Sequence, residues 1–183
     1  MTIYHMINWF FLFSFFGYLL ECLVLSLEHR QPVMNRGFCH GPFCIIYGFG
    51  AVGAYLLLRP FAGNPAALFA ASMVMATSME VVTAELMIRL FGAFWWDYSK
   101  KPFNYRGMIC LESSIGWGVL GIVFFRFLDG FAHEMVAMVP DFYEAKLAAA
   151  LVLFYLLDFS YCMWLRLNGE DDDSDTVGRL KVY

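Results

Sequence analysis

Residues 4–27 read YHMINWFFLFSFFGYLLECLVLSL, an apolar run whose one charged side chain is Glu21. At about 1.5 Å of rise per residue it makes a helix of roughly 36 Å, enough to cross a hydrocarbon core about 30 Å thick. Four further stretches read the same way. Pro42–Leu58 holds no charge before Arg59, and Ala66–Leu90 is apolar first and then carries Glu80, Glu85 and Arg89. Met108–Phe125 has Glu112 in its first turns, and Leu147–Leu165 is interrupted by Asp158. The third run exceeds the core thickness, so Glu85 and Arg89 can stand at the interface as an i,i+4 pair. The first run lacks the basic flank and small-residue cleavage pattern of a signal peptide and reads as a retained helix. The expectation is an all-α polytopic membrane protein with five transmembrane helices.

Composition agrees. The 183 residues are 61% hydrophobic and only 15% charged, with a mean hydropathy of +0.61, where a soluble domain is about 25% charged. So much apolar side chain cannot be covered in a water-soluble domain of this size. Twelve Lys and Arg against sixteen Asp and Glu give a net charge of −4 and exclude a nucleic-acid binder. Residues 1–168 read as the integral membrane domain. Residues 169–183, with Glu170, Asp171, Asp172, Asp173 and Asp175, read as an acidic, disordered cytoplasmic tail. Its aspartates lack the glycine and terminal glutamate of a calcium loop. With five spans, nine of the twelve Lys and Arg share the side of loops one and three and the C-terminus, so the N-terminus is expected outside and the C-terminus in the cytoplasm.

Two segments resemble each other. Asn35-Arg36-Gly37-Phe38 leads to Gly48-Phe49-Gly50-Ala51-Val52-Gly53, and Asn104-Tyr105-Arg106-Gly107 leads to Gly116-Trp117-Gly118-Val119-Leu120-Gly121. The reading is a parallel two-helix repeat, helices 1-2 and 3-4, with a fifth helix added. The glycines are expected to let helices approach closely. They lie inside an apolar span, with no strand before them, so they are not a dinucleotide fingerprint.

A charged group inside a membrane helix costs about 2.5–3.5 kcal/mol on insertion scales, so it should face protein or water. Glu21, Glu80, Glu112 and Asp158 fall in that class. Helical spacing puts Ser14, Tyr18 and Glu21 on one stripe and Thr77, Glu80 and Thr83 on another, while Tyr155, Tyr161 and Cys162 flank Asp158. In loop one, Arg36 can fork onto an anion and His40 offers an imidazole, the side chain most used to carry protons. Loop three combines Trp96, Asp97, Tyr98 and Asn104 with Lys100, Lys101 and Arg106. An aromatic belt and the positive-inside rule explain its tryptophans and lysines but leave Asp97 and Asn104 unexplained. The five cysteines form no C-x-x-C pair, so neither a zinc site nor a redox motif is indicated. With no Walker loop, the chain does not hydrolyse ATP by itself.

The run from Asn35-Arg36-Gly37-Phe38 through His40-Gly41-Pro42-Phe43 to Tyr47-Gly48, then Glu80 and Trp96-Asp97-Tyr98-Ser99 with Pro102-Phe103-Asn104, resembles the ABC-transporter permease family of the CmpB type over roughly residues 8–165. Cys39 and Lys100-Lys101 stand where such loops vary, and the acidic tail is peculiar to this chain. The resemblance implies a small multi-pass protein of the bacterial inner membrane and singles out Arg36, His40, Glu80, Trp96, Asp97, Tyr98 and Asn104. Five helices are few for a translocation path, which calls for a homo-oligomer or a second permease, and for a separate ATPase subunit. The substrate-binding residues are expected to be these seven with Glu21, Arg106 and Glu112, in a polar site between helices 1-4 open to the cytoplasmic loops. No catalytic residue, cofactor or metal is assigned. The alternative is an intramembrane enzyme acting on a lipid or isoprenoid, with His40 or a glutamate as general base and Arg36 and Arg106 on an anionic headgroup.

Overall fold

Lipid offers backbone N–H and C=O groups no partner, so a chain that crosses it folds as helix. The computed structural model describes residues 2–34, 37–92, 94 and 96–168. Asn35, Arg36, Trp95 and the acidic tail therefore lie outside the described residues. Among those described the protein is all-helical, with only an isolated bridge between Tyr105 and Ile109. In chain order the helices are α1 (Ile3–His29), α2 (Ile45–Gly53), α3 (Pro65–Phe91), α4 (Leu111–Val123), α5 (Asp129–Ala137) and α6 (Asp141–Leu167).

Four helical stretches are long and apolar enough to cross a membrane: Ile3–Leu27, Pro65–Phe91, Leu111–Ala137 and Asp141–Arg166. The expected second span is a shorter apolar helix, Ile45–Phe61. It starts after Cys44 because Phe43 and Cys44 turn their amides to Gly41 and Ser14 carbonyls. The expected fourth span, by contrast, runs past Phe125. Hydropathy drops at Arg126 and Asp129, yet the helix continues to Ala137, with His133 facing Asp129 one turn away. The last span starts earlier than Leu147, at Asp141 directly after Pro140. Its first turn carries Asp141 and Glu144, acids that suit a helix N-terminus.

Contacts divide the chain into two compact units. The first holds the residues up to Gly53 with Phe127–Leu165, and the second is built on Ala54–Arg126. In the first, α1 packs on α2 and α5. Gly48 makes the α1–α2 approach possible, since a Cβ there would press on Ser14 Oγ and the Phe10 ring. Ser14 is fully buried and returns its hydroxyl to the Phe10 carbonyl at 2.9 Å.

In the second unit α3 packs on α4. Asn64 caps α3 by accepting the amides of Ala66 and Ala67, and Gly92 ends it in the left-handed conformation at φ 73°. Gly118 and Gly121 lie against Phe69 and Ser72. Gly50 and Gly116, by contrast, face open space. The glycine runs thus divide into packing and non-packing positions.

Both short apolar helices widen at their ends. α2 passes into a π-turn at Ala54–Leu58 and α4 into one at Phe124–Leu128. Ala54 and Phe124, the first residues of these turns, are buried.

Overfilling a close-packed contact typically costs about 1–3 kcal/mol. Gly118→Val is expected to lower detergent-solubilised stability by that amount, while Gly116→Ala leaves the melting temperature unchanged or slightly raised. Equal effects from the two would contradict the assignment of Gly118 to the α3–α4 contact.

Candidate functional site: buried acids and the loops that meet them

Glu80 projects from the middle of α3 and is only 4% exposed. Tyr98 Oη donates to its Oε1 at 3.2 Å, and Ser113 Oγ stands 3.5 Å from Oε2. Thr77, one turn earlier, donates to Ser114 at 2.9 Å. Thr77 and Glu80, two of the three residues of the stripe expected on α3, therefore face the start of α4. There Cys110 and Ser113 exchange amide hydrogen bonds in a capping box.

Tyr98 reaches Glu80 because residues 96–110 form a loop with its own packing and hydrogen bonds. Phe94 and Met108 pack with Ala84 in a small buried core, flanked by Trp96 and Ile109. Trp96 Nε1 donates to the Met108 carbonyl at 2.6 Å, and the Tyr98 amide to the Gly107 carbonyl at 2.9 Å. Asn104 donates through Nδ2 to the Ser99 and Lys101 carbonyls and accepts the Gly107 amide. Asp97 accepts both the amide and the hydroxyl of Ser99. Asp97 and Asn104, which a mere connector did not explain, thus hold the loop's shape. Two further charges of the loop pair at the surface: Arg106 with Glu85 at 3.4 Å and Lys101 with Glu112 at 3.2 Å. Glu85 is met across the loop by Arg106, where the sequence suggested Arg89.

In the first unit, Tyr47 Oη donates to Glu21 Oε1 at 2.6 Å. The Tyr47 ring lies against Gly17, whose missing side chain makes room for it. His40 is elsewhere in this unit. The loop from Gly37, where φ is 106°, folds onto α6 and brings three residues to Asp158. The Gly41 amide donates to Asp158 Oδ2 at 2.7 Å, and His40 Nδ1 lies 3.2 Å from Oδ1. Cys162 Sγ stands 3.6 Å from the same oxygen and 3.1 Å from His40 Nδ1. Gly41 has to be glycine, since a Cβ would strike Phe154 and crowd Asp158. Cys39 is buried beside them, its Sγ within 4.8 Å of both the Asp158 and Cys162 ligating atoms. Burial pushes the Cys39 thiol up to about 12, partly offset by a hydrogen bond with Tyr155, so it is a protonated thiol at neutral pH.

Sequence spacing missed this cluster because Cys39 and Cys162 are far apart in the chain and neither belongs to a short motif. A second polar chain joins α1, α5 and α6 in the same unit. Glu144 pairs with His5 at 3.4 Å, His5 Nε2 meets His133 Nδ1 at 3.0 Å, and His133 Nε2 lies 3.3 Å from Asp129.

Of the expected site residues, Glu80 and Tyr98 are thus in direct contact. Trp96, Asp97, Asn104 and Arg106 share their loop, Glu112 lies on the adjoining helix, and Glu21 and His40 have separate partners in the first unit. Arg36 is outside the described residues. Leaving a buried carboxyl one donor short costs about 1–3 kcal/mol. Tyr98→Phe is therefore expected to destabilise the protein by that amount, read by thermal unfolding in detergent, whereas Tyr105→Phe, at an exposed position, has no effect. Equal melting temperatures for Tyr98→Phe and the parent would count against the Glu80 contact.

No curated protein and no solved structure matches the chain. The match found is to a family model described as "Putative ABC-transporter type IV", over residues 8–163. That match takes in most of α1, all of α2 to α5 and most of α6, and the chain belongs to this ABC-transporter family of membrane proteins.

Proposed function

We propose that the protein is the membrane-embedded permease component of an ABC-type transporter, working with a separate ATPase subunit and assembling as a homo-oligomer. The observation that carries this reading, beyond family membership, is that each half of the chain holds a span glutamate on a tyrosine hydroxyl: Glu21 on Tyr47 and Glu80 on Tyr98. Such groups are expensive in lipid and mark polar paths. In this reading Glu21, Arg36, His40, Glu80, Trp96, Asp97, Tyr98, Asn104, Arg106 and Glu112 form the substrate-binding set, open to the cytoplasmic loops. Asp97 and Asn104 serve it by shaping the loop that delivers Tyr98.

The helix pairs α1–α2 and α3–α4 are two copies of one unit. Gly37 and Gly107 both take positive φ, Gly48 and Gly118 both seat against the preceding long helix, and Ala54 and Phe124 both open a π-turn. Each pair is separated by seventy residues. That register shifts the glycine alignment by two from the one the sequence motif suggests, pairing Gly48 with Gly118 rather than with Gly116. Ile45–Phe61 is then the fifth crossing, a slightly short one of roughly 26 Å. The N-terminus is outside, and loops one and three and the C-terminus lie on the cytoplasmic side of the inner membrane.

A reporter inserted at Gly63 is expected outside and one fused after Tyr183 inside; both on one side would defeat the five-span arrangement. Purification of the tagged chain from its native membrane in mild detergent should recover an ATPase and vanadate-sensitive ATP hydrolysis, lowered by Glu80→Gln. Recovery of the chain without any ATPase would overturn the permease reading. The second reading, a lipid-acting enzyme, draws on His40, an exposed imidazole held at Nδ1 by Asp158. It requires that His40→Ala change the membrane lipid profile.

A further inference from the structure

Among the described residues, one cluster gathers four side chains of metal-binding type where permease function requires none. Cys39 and His40 come from the loop before α2, and Asp158 and Cys162 from successive turns of α6. We propose that Cys39 Sγ, His40 Nδ1, Asp158 Oδ1 and Cys162 Sγ form a binding site for a zinc-class divalent cation that fastens loop one to α6.

Distance supports it first. Zinc bonds sulfur at about 2.3 Å and nitrogen or oxygen at about 2.0–2.2 Å, so the edges of its tetrahedron are roughly 3.4–3.8 Å. The cluster shows 3.1 Å from Cys162 Sγ to His40 Nδ1, 3.2 Å from His40 Nδ1 to Asp158 Oδ1, and 3.6 Å from Cys162 Sγ to Asp158 Oδ1. Three of the four donors thus already form one triangular face, a few tenths of an ångström tight. Cys39 Sγ lies within 4.8 Å of the Asp158 and Cys162 donors but farther than that from His40, so the fourth corner closes when the exposed imidazole swings toward the thiol.

The donor set agrees with the distances. Two sulfurs, an imidazole and one carboxylate oxygen suit a borderline-soft ion rather than magnesium or calcium, which take all-oxygen shells. Four protein donors make a closed site, the structural rather than the catalytic kind. Asp158 has an oxygen for each task. Oδ1 faces the other donors, while Oδ2 is held by the Gly41 amide at 2.7 Å, an outer-shell contact that fixes the carboxylate. The site is also reachable. The His40 side chain is 64% exposed while that of Asp158 is 12% exposed and Cys39 and Cys162 are buried. A cation would enter past the imidazole and lose its water against the thiols. Both thiols give up their protons on binding, as metal coordination deprotonates a thiol outright.

The inference goes beyond the permease reading and stands without it. The test is cobalt titration of the full-length, metal-stripped protein in detergent, followed by the thiolate-to-cobalt charge-transfer band. One cobalt per chain is expected, giving that band with a tetrahedral visible spectrum, and both are abolished on displacement by zinc. Cys162→Ser and Cys39→Ser each weaken the band, the two together abolish it, and Cys44→Ser, outside the cluster, keeps it. His40→Ala, at an exposed loop position, should fold normally. It should weaken zinc binding by at least the roughly 10–100-fold that loss of an outer-shell partner causes. A second readout needs no variant: zinc should raise the melting temperature of the wild-type protein, because a ligand of the folded state stabilises it. Cobalt bound without a thiolate band, a band that survives Cys39→Ser with Cys162→Ser, or no zinc-dependent thermal shift would overturn the proposal.

Discussion

A carboxyl group carried on a helix that crosses lipid has to be met by donors, and much of this molecule is arranged around that demand. Insertion of such a group costs several kcal/mol when nothing answers it. Glu21 is answered by a hydroxyl on the neighbouring helix, Glu80 by one from the loop after its own helix, and Asp158 by an amide and an imidazole from the loop before α2. In two of the three cases the donor lies in a connecting segment. Those segments consequently cannot be slack. The loop that carries Tyr98 has a buried core, an indole-to-backbone hydrogen bond and an asparagine that staples three backbone groups. The left-handed pair Arg106-Gly107 turns the chain back so that its carbonyl can hold the Tyr98 amide.

Helix contact follows a second rule, since apolar side chains gain little from one another in a solvent that is itself apolar. Close approach through small residues takes over. Gly48 leaves room for the Ser14 hydroxyl, and Gly121 for that of Ser72, directly against the helix backbone. The π-turns that follow both helices insert a residue into the regular turn and shift which side chains face inward. Ala54 and Phe124 are the residues brought to the buried side.

Much of this was legible in the residue order. Long apolar runs located α1 and α3 to within a few residues because lipid imposes the length and the caps Asn64 and Gly92 fix the ends. The burial of Glu80 followed from its depth in such a run. Which glycines pack did not follow, because a motif records only spacing and the packing face depends on where the helix begins. Nor did the extension from Phe125 to Ala137, where charged residues continue a helix that hydropathy alone would end. Asp97 and Asn104 show another limit: an acid or amide that staples its own loop has the same letter as one that binds a ligand. The grouping of Cys39 with Cys162 needed the fold, since it joins the first loop to the last helix.

That joining has a consequence for how the protein is made. The chain enters the membrane from its N-terminus, so residues 37–44 are synthesised early, together with α1 and α2. Their partner, Asp158, is 117 residues downstream of Gly41. Until α6 has been inserted, the Gly41 amide and the His40 imidazole have no carboxylate to meet, and Cys39 has no thiol beside it. The first loop is therefore the last to be finished. Its closure marks the moment when the C-terminal helix has arrived.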